Sequence, residues 1–195
     1  HEVGHTLGLR HNFKGSAFRS LADLNDVTKT SAVGGTTSVM DYIPVNIVPK
    51  GKQQGDYYTA RLGPYDMWAI EYGYRPVSAG NPEGELPELD KIAGRSGDPA
   101  LAYATDEHTE FNDPDPLSNR FDLGSDPLEF ARSRAELVTQ VMPLIVDRMT
   151  TKDRGYERVR QAFGVLLSAH GQAMYTAARL VGGLHTSRSH KGDAN

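Results

Sequence analysis

Cysteine is absent from all 195 residues, which excludes disulfides and every thiolate metal site. No apolar stretch approaches the roughly 20 residues that a membrane-spanning helix needs. Lysine and arginine form no runs, and 21 basic residues against 25 acidic leave a net charge of −4, a balance that argues against a nucleic-acid surface. A phosphate loop is also missing: Val33-Gly34-Gly35-Thr36-Thr37 lacks the lysine and the helical pattern that should come after it. Ser38 has no nucleophile-elbow context. No leader peptide is present, but the chain does not begin with Met, so it reads as a piece of something longer and this last absence carries little weight.

The composition is soluble and loop-rich: 38% apolar, 24% charged, 20 Gly and 11 Pro. That suffices for one domain or part of a larger one. Residues 1–8 read as a helix ending at Gly8, with an irregular stretch to about 35. Residues 36–49 hold a tight turn and a short extended piece. Pro64 suits the first position of a helix over 64–72, and Gly73 suits its stop. From 75 to 124 neither period is sustained, apart from one short helix at 87–93. Asp126 caps a helix running to about 150, with Pro127 at its first position, Glu129 at its third, and Pro143 set to kink or split it. A last helix spans 154–181, with an expected buried stripe of Val159, Phe163, Leu166, Leu167, His170, Met174, Ala177 and Leu180. His170 on that stripe reads as a hydrogen-bonded core histidine, and His185 and His190 as residues of a cut tail. The parts are thus 1–75, an irregular acidic region at 76–125, a helical part at 126–183, and the tail at 184–195.

The chemistry lies in the first eleven residues, HEVGHTLGLRH. His1 and His5 stand four apart, on one helix face and about 6 Å apart along its axis. Their nitrogens can share one zinc at roughly 2.0–2.1 Å each. Glu2, one residue further round, can reach a water at the metal without being a ligand. On a continuing helix His11 would face away, but a glycine with positive φ at position 8 reverses the chain and returns it. Three histidines leave zinc an open position, the arrangement of a catalytic site. A water there becomes acidic and Glu2 takes its proton, which gives metal-assisted hydrolysis of a peptide-like bond. A helix carrying histidines by accident is the plain alternative for His-Glu-x-x-His alone; Gly8 and His11 at fixed spacing make chance improbable.

This pattern resembles the signature of the metzincin clan of zinc peptidases, His-Glu-x-x-His-x-x-Gly-x-x-His and then a methionine turn. His1, Glu2, His5, Gly8 and His11 match the first part, and "SVMDY" (38–42) looks like the second. The resemblance implies that Met40 forms an apolar floor beneath the histidines and that Tyr42 helps stabilise the oxyanion. It also implies that Ile43, Pro44 and Val45 wall the pocket for the side chain after the scissile bond. "GPYDMWAIEYGY" (63–74) is similar to the helix after the turn in matrixin-like members, two residues closer than their spacing. Asp66 would there bond backbone near the turn, or else stabilise its own helix's first turn by charge. With "ATDEH" and "FDLGSDPLEFAR", these stretches look most like large bacterial zinc-dependent metalloproteases with a met-zincin domain.

The fold implied is mainly α with long irregular loops, the C-terminal half of a metzincin-like α+β zincin domain whose N-terminal sheet lies outside this chain. The activity implied is that of a zinc endopeptidase acting on peptides or proteins and exported from the cytoplasm. The missing N-terminal part of the same polypeptide would be a partner, and the fragment alone is expected to be inactive, because no preceding turn holds the His1 rotamer. A metal-stabilised peptide-binding module and a zinc hydrolase of non-peptide amides are the alternatives. An intact Glu2 and Tyr42 speak against the first. Asp106, Glu107, Asp113 and Asp115 crowd residues 105–116 with His108. A Ca²⁺ site is conceivable there, but no loop spacing matches a known cage, and a solvated acidic loop is expected.

Overall fold

The motif helix, α1, is a single turn and a half, Glu2–Thr6, with His1 at its N-cap. It is the first of eight α-helices among residues 1–109, 113–153 and 155–191, the residues described by the computed structural model. None of those residues lies in a β-strand, so the architecture is mainly α with long irregular loops, as expected. Gly8 adopts φ +85°, the left-handed conformation that only glycine takes cheaply, and the chain reverses there.

The stretch to residue 35 is more ordered than expected. It holds α2 (Leu21–Leu24) and α3 (Val27–Val33). The Ser20 hydroxyl accepts from the Asp23 N–H and the Asp26 carboxylate from the Thr28 N–H, so each short helix has a side-chain cap. Elements this short show no period, and only their caps betray them. Next, α4 (Pro64–Tyr74) opens on Pro64 as expected but runs through Gly73. Gly73 lacks positive φ, and the helix stops where Arg75 turns extended at ψ 123°.

Then come α5 (Leu86–Ala93) and α6 (Pro127–Val141), the latter capped by Asp126, which accepts from Leu128 and Glu129. Beyond α6, Pro143 divides the chain into a 3₁₀ turn, Met142–Leu144, and α7 (Ile145–Met149). The last helix is α8 (Glu157–Ala178).

The core lies where α6 packs on α8. Leu24, Leu123, Phe130, Ala131 and Ala173 are buried together, with Leu21, Ile43 and Ala177 against them. The buried stripe of α8 differs from the expected one. Phe163, Leu167 and Met174 are 47%, 56% and 41% exposed, and Leu180 is exposed too, while the fully buried residues are Ala173 and Thr176. Small residues on α6 and α8 let the two helices close, which rotates the larger apolar side chains outward. His170 is half-buried, and its Nδ1 has no hydrogen-bond partner, contrary to the core histidine expected.

Residues 184–188 of the tail are tied to the rest of the chain. Leu184 N–H donates to the Pro114 carbonyl, Thr186 donates twice to Asp115, and His185 Nδ1 lies 3.7 Å from the same carboxylate. Arg188 reaches His108 at 3.3 Å and stacks over Tyr103. No helix among the described residues is long and apolar enough to cross a membrane.

Candidate metal centre

Each imidazole of the motif is anchored at Nδ1. His1 donates to the Val39 carbonyl at 2.7 Å, His5 to the Leu9 carbonyl at 2.9 Å, and His11 to both oxygens of Asp106 at 3.0 Å. An acceptor at Nδ1 fixes the proton there and leaves the Nε2 lone pair free. The ring of His1, expected to lack support, is thus held from the side by Val39. The rings lie 4.8, 4.9 and 5.3 Å apart by centroid, and one potential ligand atom of each falls within 4.8 Å of the others. Nε2 of His1 and of His11 is buried without a hydrogen-bond partner. An unpartnered buried nitrogen is costly, and a metal between the three rings would remove that cost. These donors fit zinc: three imidazole nitrogens, which on a four-coordinate metal leave one position open. Glu2 is exposed in the first turn of α1.

Met40, in the turn that follows, is fully buried against α1. A Cβ at Gly4 would stand 2.3 Å from its sulfur, so glycine is what lets α1 rest on the methionine. Asn12, next to His11, donates its N–H to the Met40 carbonyl and its side-chain amide to Ala102, while its Oδ1 accepts from Lys14 and Ala104. Asp66 hydrogen-bonds both to the turn and to the backbone at the start of its own helix. One oxygen accepts from Ser38 Oγ at 2.6 Å; the other accepts from Val39 N–H and from Gly63 N–H, each at 2.9 Å, tying the turn to the start of α4.

Tyr42 stacks on His1 with centroids 5.0 Å apart and packs on His11 at 4.5 Å. On its other face lies Phe121, at 5.8 Å and nearly parallel. Of the three pocket residues, Pro44 lines a cavity with Phe121, Ile43 packs on the core, and Val45 offers its carbonyl to Arg134.

The four acids considered for Ca²⁺ do not converge. Asp106 serves His11 and Arg120, Glu107 pairs with Arg10, and Asp113 caps the Asp115 N–H. Asp115 is fully buried beside Lys14, so the segment is not simply a solvated acidic loop. Burial pushes the Asp115 carboxyl up, but the Lys14 ammonium and the Leu117 and Thr186 N–H groups outweigh it and hold it at about 2. At Asp106 burial likewise opposes the His11 hydrogen bond and the Arg120 charge, and the net position is below the ordinary value.

A second buried pair, Asp41 and Asp122, meets at Ser16. The Ser16 N–H donates to Asp41 at 2.7 Å and its hydroxyl to Asp122 at 2.8 Å. Burial lifts Asp122 to about 6, against hydrogen bonds from Ser16 and Asn119 that lower it. Asp41 is raised well above its ordinary value by burial and then by the Asp122 charge. Local spacing carries no sign of these residues, nor of Asp106 as a partner of His11. Their partners are 25, 106 and 95 residues away, beyond the reach of any local pattern.

Among curated proteins and solved structures nothing matches this chain. A family model described as Met-zincin matches it over residues 1–195. The match covers the whole sequence, and the chain belongs to the Met-zincin family.

Proposed function

We propose that this chain forms the hydrolytic centre of a zinc endopeptidase that works outside the cytoplasm. Membership of the Met-zincin family supports zinc metallopeptidase chemistry. The finer reading rests chiefly on one observation: three imidazoles have their Nδ1 protons engaged and crowd around a common point. Export rests on the resemblance to exported bacterial metalloproteases alone.

When bound, zinc supplies Lewis acidity, polarising the scissile carbonyl and making water a nucleophile near neutral pH. His1, His5 and His11 would hold the metal, and Val39, Leu9 and Asp106 keep each ring in its tautomer. Glu2 takes the proton of the attacking water at its carboxylate and delivers it to the leaving amine. The Tyr42 phenol, placed by its stacking on His1 and His11, donates to the negative charge that develops on the carbonyl oxygen. Met40, buried against Gly4 of α1, would contribute shape only, the apolar floor that the family resemblance implies.

The test uses the full-length protein, its zinc stoichiometry, and cleavage of a broad peptide library with and without chelator. Zinc near one per chain and chelator-sensitive cleavage are expected. Glu2→Ala should keep the metal and lose roughly 10²–10⁴-fold in rate. Bound zinc with no chelator-sensitive cleavage would sink the peptidase reading, and loss of zinc in Glu2→Ala would remove Glu2 from the role of base.

A further inference from the structure

Arg134, on α6, is a cation with no carboxylate partner among the described residues, whereas Arg10 and Arg120 each meet one. Its interactions are a 3.3 Å hydrogen bond to the Val45 carbonyl and contact with the Phe130 ring at 5.3 Å. Burial lowers its pKa without removing its charge. A guanidinium desolvated this way, with donors to spare, favours an incoming carboxylate, which it can bind with two parallel hydrogen bonds.

The space beside it is suitable. Arg134 lines a cavity of about 280 Å³ together with Pro44, Phe121, Phe130 and Gln172. The walls are mostly apolar, and Gln172 ties α8 to the Arg120 carbonyl at 2.8 Å. The cavity adjoins the candidate metal centre through Phe121, whose ring stacks on Tyr42 and whose N–H donates to the Tyr42 carbonyl at 2.7 Å. Phe121 is 50% exposed and is the one non-glycine residue with positive φ, 62°, among those described. Such a conformation costs about 1–3 kcal/mol and persists where surrounding structure imposes it, often at ligand sites. Here it keeps an aromatic ring standing between Tyr42 and the cavity.

We propose that this cavity receives a substrate side chain and that Arg134 selects an acidic one, so that the enzyme prefers peptides carrying glutamate or aspartate beside the bond it cuts. The proposal rests on the peptidase reading for its biological meaning, but its physical content is a binding preference that can be measured separately.

The probes are short peptide hydroxamates, which anchor on zinc without being cleaved, carrying glutamate or its neutral isostere glutamine. Binding to the zinc-loaded full-length protein is measured by calorimetry, and cleavage of matched glutamyl and glutaminyl peptides by chromatography. Glutamyl hydroxamate should bind about tenfold tighter or more, as expected for a hydrogen-bonded charge pair. Arg134→Gln should bring the ratio to within about twofold, and Arg134→Glu should shift preference to a lysyl probe. Equal binding of the glutamyl and glutaminyl probes to the unaltered protein overturns the proposal, and so does failure of both to bind; neither result depends on how the variants fold. A glutamyl preference without cleavage of any peptide supports the pocket while refuting the peptidase. Cleavage that ignores the acidic residue does the reverse.

Discussion

Removing the carboxylate of Asp106 tests whether the loop at 103–108 belongs to the metal centre. Both its oxygens sit 3.0 Å from His11 Nδ1, and one also accepts from Arg120 at 3.1 Å. Asp106→Ala would leave the His11 proton without its acceptor, so the ring could rotate or place its proton on Nε2, the atom needed for the metal. It would also leave Arg120 without its anion. Outer partners of this kind are worth about 10–100-fold in metal affinity, or roughly 1.4–2.7 kcal/mol. Asp106→Ala should fall near the upper end. Asp106→Asn, which keeps an acceptor but not the charge, should fall near the lower end. Glu107→Gln is the control: its bond to Arg10 is exposed on both sides, and exposed pairs contribute about 0–1 kcal/mol. Competition with a chromophoric chelator gives the zinc affinities, and the Co²⁺-substituted spectrum reports whether coordination changes. Melting of the metal-free variants separates loop unfolding from loss of a ligand partner. Wild-type affinity in Asp106→Ala, or an equal loss in Glu107→Gln, would refute the reasoning.

Two buried contacts give further outcomes. Gly4→Ala should destabilise by about 1–3 kcal/mol through overpacking against Met40, although alanine is the better helix former by about 1 kcal/mol; a higher melting temperature would show that Met40 moves freely. Asp122 has a folded pKa of about 6, above its ordinary 3.8, so the folded state binds this proton more tightly than the unfolded. Its contribution is therefore fully present below about pH 4 and lost as pH rises to about 6, on the order of 3 kcal/mol. Asp122→Asn should flatten that slope in pH-dependent denaturation, and a slope identical to wild type would rule out Asp122 as its source.

The residues proposed to bind metal are legible in the sequence, and most of those that hold them are not. His1, His5, Gly8 and His11 are readable because a helix and one glycine turn relate them at short range. Met40 and Tyr42 are readable only through resemblance. The outer layer is hidden for a geometric reason: Asp106 looks like one acid among several in a polar stretch, and its direction is set by loop closure over 95 residues. The stripe on α8 fails differently. Period alone marks which residues share a face, while helix approach through Ala131 and Ala173 decides which face is turned inward.

The short segment from His11 to Ser16 is stitched to the region 102–122: His11 to Asp106, Asn12 to Ala102 and Ala104, Lys14 to Asp115, Ser16 to Asp122. These links carry separations of 90 to 106 residues. At ordinary synthesis rates of about 5–20 residues per second, the histidines are made roughly 5–20 s before Asp106. For that interval the three histidines are present and their supports are not. Contacts so distant also form late in refolding, after local helices. A metal captured early would sit on mobile rings, and its exchange rate should fall sharply once the second segment closes, so metal exchange can serve as a clock for the last step of folding.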